Sequence, residues 1–287
     1  MAFRFKLDED FDKGLVRIGD EQIARAVSQL EGAHAGAAVH ETRKSIKRIR
    51  ALLRLVRGGI GNAAFKHENA RLGDIGRMLS SSRDQTVIRG TIDWLAREHP
   101  SCAPALRALR KAVPDPGRGE DVSAGRRLAG QAIRRLKEAG RAWRRLELGE
   151  AGLDVITGGL AQGLTELREA QERARGGDDE AVHDWRKAVQ RHWRHMLLMR
   201  EAWPTYFEAR AAEAKHVSEL LGLAQDLTLL IARACQEKEA ALSEAQAKAI
   251  VELAGQRRIA LRAAALEHCR RLAAEGPDGH ARRVAAY

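Results

Sequence analysis

Between positions 39 and 57 the sequence VHETRKSIKRIRALLRLVR sets His40, Arg43, Lys47, Arg50, Arg54 and Arg57 at alternating steps of three and four. Each of these side chains is a cation or becomes one on protonation. Such a row supplies neither a nucleophile nor an acid–base pair; its chemistry is the recognition of anions. Arginine offers forked donors that match two oxygens of one phosphate, and lysine offers a point charge. Repeated over roughly 26 Å of helix, they suit an extended polyanion better than one small molecule. Lys44 and Arg48 widen the row. Seven Lys and Arg residues share this stretch with one acid, Glu41. An ordinary exposed helix interleaves acids, because oppositely charged neighbours one turn apart stabilise it. His40 opens the row as a donor to phosphate. It has no second histidine at the spacing a helical metal pair would need.

The element that must carry this row is a helix with two faces. Val39, Thr42, Ile46, Ile49, Leu53 and Val56 repeat at the same period and form an almost wholly apolar stripe, which docks on a core. Gly58, Gly59 and Gly61 stop the helix. Ala, Leu, Arg and Glu dominate the rest and proline is rare, so an all-α protein is expected. Periodicity and breakers place helices at 20–33, 63–79, 84–98, 104–112, 123–148, 152–175, 179–202, 205–222, 225–240 and 243–273. Phe3, Phe5 and Leu7 alternate with Arg4 and Lys6, which predicts either a short strand or an extended arm. Asp84 and Asp226 each follow a loop and precede an apolar helix, so both are read as helix caps rather than catalytic acids. The five tryptophans, and His192 and His195, read as packing residues.

The basic stretch occurs twice. AVHETRKSIKRIR at 38–50 returns as AVHDWRKAVQRHW at 181–193, and Arg48 matches Arg191. Downstream, the segment from Met78 to Thr86 resembles Leu220 to Thr228. This predicts a duplicated helical unit packed as a pseudo-twofold pair. The expected divisions are an N-terminal arm or strand at 1–17, a first repeat at 18–113, a Pro/Gly linker at 114–122, a second repeat at 123–275 and a flexible tail at 276–287. The second basic face comprises His183, Arg186, Lys187 and Arg191, with Arg194 and Arg200 nearby. It is thinner than the first: Gln190 stands where Lys47 does, Trp193 where Arg50 does and Leu197 where Arg54 does.

The pattern His-x-x-Arg-Lys-x-x-Lys-Arg-x-Arg at 40–50, its echo at 183–193 and the Arg-Asp and Gln-Asp helix starts resemble the CHAD family, the conserved-histidine α-helical domains. The resemblance runs from about 18 to 275. It implies two helical bundles of about four helices each, related by a pseudo-twofold axis. It also implies binding of inorganic polyphosphate along a basic surface, association with polyphosphate granules, and no catalysis. The residues carried over are His40, Arg43, Lys47, Arg48 and Arg50 in the first half, then His183, Arg186, Lys187 and Arg191 in the second.

Composition agrees with an anionic partner. Lys plus Arg number 50 against 39 acids, a net charge of +11. Aromatic residues are 4% and none lies in the basic row, which disfavours base stacking on single-stranded nucleic acid. A phosphate-backbone contact with nucleic acid is the alternative reading, expected as the weaker competitor. No Gly-x-Ser-x-Gly, phosphate-binding glycine loop or His-Glu-x-x-His motif occurs, so no enzyme, cofactor or metal is expected. Cys102, Cys235 and Cys269 are scattered, without metal-type spacing. The start, MAFRFKLDEDFD, lacks an apolar signal core, and no run approaches a membrane span. A cytoplasmic location, in part on granules, is expected, with no membrane partner.

Overall fold

The computed structural model describes residues 3–32, 35–79, 83–115, 122–148, 152–238 and 240–286. Twelve α-helices run through them: α1 Phe11–Gly32, α2 Ala35–Leu55, α3 Arg57–Ile60, α4 Asn62–Met78, α5 Arg83–Glu98, α6 Ala103–Ala112, α7 Val122–Trp143, α8 Gly152–Ala174, α9 Asp179–Leu198, α10 Pro204–Gln236, α11 Glu244–Ala273 and α12 Pro277–Ala285. A single 3-10 turn, Pro100–Cys102, precedes α6, and no β-strand occurs among the described residues. The protein is all-α, as its composition requires.

Local chemistry explains the boundaries. Gly61, at φ +80°, turns the chain between α3 and α4, and Gly177, at φ +78°, does so before α9; this is backbone space that glycine enters without strain. Asp178 caps α9 by accepting a hydrogen bond from the Ala181 amide. Ser243 and Gln246 cap α11 reciprocally. Pro204 and Pro277 open α10 and α12, where a missing N–H costs nothing.

Helix α2 packs between α1 and α4 and also meets α8 and α9. Its apolar stripe, including Ile46, Ile49, Leu53 and Val56, is buried to within 2%. Each such side chain contributes about 1.5–3 kcal/mol on burial. The interior does not divide along the repeat. One core joins α1, α2, α4 and α7 to the ends of α8, α9 and α10 and to α12. A second lies among α8, α9, α10 and α11. A third seals α5 and α6 onto the distal halves of α10 and α11.

Four expectations change. α10 is one unbroken helix where two were expected, so Asp226 lies inside it and is not a cap. Leu221, Gly222 and Ala224 are all buried there, and packing continues the helix where α4 and α5 are separate. In α5, Asp84 falls in the first turn, and its side chain and Ser80 to Ser82 lie outside the described residues. The segment assigned to a flexible tail is α12, which packs on α8 and buries His280 and Val284. Helix α7, assigned to the second repeat, packs against α1 and α4 of the first. Of the expected linker, residues 116–121 lie outside the described residues.

The N-terminal residues form an arm rather than a strand, and α1 begins earlier than the periodicity suggested. The Phe5 amide donates to the Leu198 carbonyl at 2.9 Å, and the Phe5 ring is buried beside Phe11. Arg4 pairs with Glu201.

Candidate polyanion-binding surface

The basic row of α2 does not stand clear of the protein along its whole length. Arg43 reaches α4, where its Nη1 donates to the carbonyls of Gly76 at 3.0 Å and Leu79 at 3.4 Å. These belong to the last turn of α4, whose carbonyls lack helical partners and carry partial negative charge. Arg50 donates from Nε to Asn69 at 2.9 Å, and burial pushes its pKa down. Arg54 and Arg57 lie over the Phe65 ring, 5.6 and 4.9 Å from its centre. Arg57 also donates to Asn62 at 2.8 Å. Helix α4 thus holds one edge of the row. His40, Lys44 and Arg57 are exposed, while Lys47, Arg50 and Arg54 are half-buried.

The other edge is α9. Burial first, then the charges of Lys187 and Arg186 on its own helix and of Lys47 on α2, depress the His183 pKa. Arg191 feels Arg54 in the same way, beneath the larger effect of its own burial. The cations of α2 and α9 therefore share one electrostatic field. What brings the helices together is lower in the seam: the buried His195 ring donates from Nε2 to the Ala51 carbonyl at 3.0 Å. Gly159 of α8 completes the junction. A Cβ there would lie 1.9 Å from the Leu55 carbonyl oxygen, so only glycine lets the two backbones cross this closely.

Pseudo-equivalent residues do equivalent structural work. Arg48 turns back to α1, donating to Gln22 at 3.3 Å, and lies over the Phe3 ring of the arm. Arg191 turns back to α8 and pairs with Glu166 at 2.5 Å. Arg43 is seated at the end of α4; Arg186 is seated against Gly222, at the matching point of α10.

These positions revise the expected site. Arg194 is 9% exposed, donates into its own helix at the Gln190 carbonyl and lies over Trp193. Burial lowers its pKa to about 10, so it stays charged but faces inward. Arg191 is neutralised by Glu166, and Arg48 is covered by the arm. Lys187 is exposed and pairs one turn back with Asp184 at 2.9 Å, as Lys44 does with Glu41 at 2.7 Å; such surface pairs are weak and exchange readily. Seven residues form the accessible face: His40, Lys44, Lys47 and Arg54 on α2, Arg57 at the start of α3, and His183 and Lys187 on α9. Sequence reasoning missed Lys66 and Arg77, exposed on α4 beside this face. Only two cations occur along that stripe of α4, too few to give a periodic signal.

Among the described residues no group of three His, Cys, Asp or Glu is placed to hold a metal, and no helix is long and apolar enough to cross a membrane. Cys102, Cys235 and Cys269 are free thiols. Of the packing histidines, His192 and His195 are both 1% exposed.

Comparison with known proteins agrees with this architecture. The family model described as "CHAD domain" matches residues 17–235. The crystal structure of the CHAD domain from the plant Ricinus communis superposes with a TM-score of 0.56 at 19% identity. The match covers 100% of this chain and 96% of that one, a likeness of fold. No curated protein matches the sequence.

Proposed function

The chain belongs to the CHAD domain family, and from that premise we propose that it binds inorganic polyphosphate, without catalysis, on the face shared by α2 and α9. The observation that carries the proposal is the docking of α9 beside α2 through the His195–Ala51 contact, which sets Lys47 and Arg54 of one helix beside His183 and Lys187 of the other. A polyphosphate chain is a row of charges without bases, and it needs repeated cations along a track rather than a closed pocket. Lys47 and Arg54 supply the middle of the track, His40 and Lys44 one end, and His183 and Lys187 the opposite edge. Arg43 and Arg50 hold α4 in place beneath it. Binding of this kind is strong in sum and falls steeply with salt, because condensed counterions are released. Association with polyphosphate granules in the cytoplasm follows as the expected setting.

The test is direct competition. Long-chain polyphosphate and duplex DNA are offered at matched phosphate concentration and physiological salt. Polyphosphate should win, and the double variant Lys47→Ala, Arg54→Ala should lose roughly tenfold or more in affinity while keeping its helical content. DNA binding as tight as polyphosphate binding would transfer the function to nucleic acid. Phosphate release from the polymer would overturn the non-catalytic reading.

A further inference from the structure

Helix α7 carries a second row of arginines that the α2–α9 face does not use. Arg134 and Arg141, seven residues apart, share one exposed face, and Arg145 follows in the turn just past the end of the helix; Arg135 lies about a quarter-turn away, on the α4 side. All four are exposed. The cations of α7 and the turn after it that lean toward α1 are paired: Lys137 meets Glu31 at 3.2 Å, and Arg144 meets Asp20 at 2.8 Å. The outward four form no ion pair among the described residues. Glu138 stands in the same stripe, yet it pairs with none of them. Single exposed arginines without an ion pair among the described residues also occur elsewhere, at Arg97, Arg107 and Arg270; this segment differs in setting four close together. On α10 and α11, Lys215 has Glu219, Lys248 has Glu252 and Arg271 has Glu213. Like charges one turn apart destabilise a helix, and an anion lying over them would relieve that repulsion. The sequence admits two acids into α7 and its extension, Glu138 and Glu147, and for that reason it reads as an ordinary surface until the pairing is seen.

Helix α4 joins this row to the proposed site. On one flank it holds α2 through Arg43 and Arg50; on the other, Arg71 donates to the Glu138 carbonyl of α7 at 3.5 Å. Lys66 and Arg77 are exposed on its outer face. Adjacent helix axes lie 8–10 Å apart, so the α7 row sits on the order of 20 Å from α2 by way of α4.

We infer that α7 is a second lane for the same polymer: a long polyphosphate chain leaves the α2–α9 face, crosses α4 at Lys66 and Arg77, and lies along Arg134, Arg135, Arg141 and Arg145. The inference rests on the polyphosphate reading of the first lane and adds a dependence on chain length. A short chain fills α2 alone, and a long one reaches both lanes.

The experiment compares a short and a long polyphosphate on three proteins. These are the unchanged chain, the α2 variant Lys47→Ala, Arg54→Ala, and the α7 variant Arg134→Ala, Arg135→Ala, Arg141→Ala, Arg145→Ala. The α7 positions are exposed, and an unchanged melting temperature verifies the fold. The α7 variant should lose roughly tenfold in affinity for the long chain, with the log–log salt slope reduced by about three, and keep its affinity for the short chain. The α2 variant should lose both. Undiminished long-chain binding by the α7 variant overturns the second lane and leaves the first intact. Equal loss for both lengths also overturns it, because that is a general effect of net charge. If the α2 variant binds both lengths normally, the first lane is wrong. If duplex DNA loses as much as long polyphosphate from the α7 substitutions, the lane is not one for polyphosphate.

Discussion

Arg48 and Arg191 occupy matching turns of α2 and α9, and each reaches back to the helix before it, Arg48 to the neutral Gln22 and Arg191 to the charged Glu166. The difference between those partners, more than the count of cations, separates the two basic faces. Glu166 cancels a largely buried arginine beside the seam and places a carboxylate next to the proposed path of an anionic polymer.

The Glu166→Gln variant should therefore bind polyphosphate more tightly, by roughly threefold, because an exposed-to-half-buried charge pair is worth only a fraction of a kcal/mol to about 1 kcal/mol. The gain should shrink as salt rises. Isothermal titration at two salt concentrations checks both statements, and a loss of affinity would show that Glu166 orients Arg191 for the ligand.

Gly159 predicts the sharpest loss of stability. With its Cβ 1.9 Å from the Leu55 carbonyl oxygen, Gly159→Ala must push α8 and α2 apart, and backbone cannot yield as a flexible side chain can. Overpacking of this kind costs about 1–3 kcal/mol. Chemical denaturation should show that loss, and polyphosphate affinity should fall with it, since the same crossing sets α2 relative to α9. Gly158→Ala, with open space at its Cβ, is the matched control; it should raise stability by about 0.5–1 kcal/mol, as alanine does in a helix interior, and leave affinity unchanged.

Acid should weaken the fold in a defined window. Burial lowers the His195 pKa to about 3 and, with the nearby Arg210 charge, lowers that of His280 to about 4. In the unfolded chain both imidazoles take up protons near 6.5. Between those limits the unfolded state binds more protons, so stability falls as pH drops from about 6.5 toward 4. Each such histidine contributes a slope of about 1.4 kcal/mol per pH unit. His195→Gln should flatten the profile by that amount while lowering stability at neutral pH. Urea melts across pH 4–7 measure the slope, and an unchanged slope would mean that His195 is protonated in the folded protein.

Periodicity made the all-α architecture, the basic helix and the duplication legible, because α2 and α9 each combine a full apolar stripe with a shared motif. It also placed His192, His195 and Trp185 correctly among the packing residues. What stayed hidden was the direction in which each arginine turns. Arg43, Arg48, Arg191 and Arg194 have the spacing of a surface row, and a stripe written in sequence does not tell an arginine aimed at a helix end from one aimed at solvent. Neighbours supplied by other segments, such as the Gly76 carbonyl, Phe3 and Glu166, decide that. Helix α12 was missed because it is short and polar. It is held by contacts that sequence does not display, with the Tyr206 hydroxyl bridging Glu275 at 2.7 Å and His280 at 2.9 Å. The unbroken α10 was missed because Gly222 reads as a stop, whereas its neighbours bury it in mid-helix.

The α5–α6 hairpin lays Ile88, Ile92, Leu95, Leu106 and Leu109 on the far ends of α10 and α11. Each half thus finishes its interior with residues belonging to the other. Separating the two halves would therefore turn those apolar side chains on both pieces toward water.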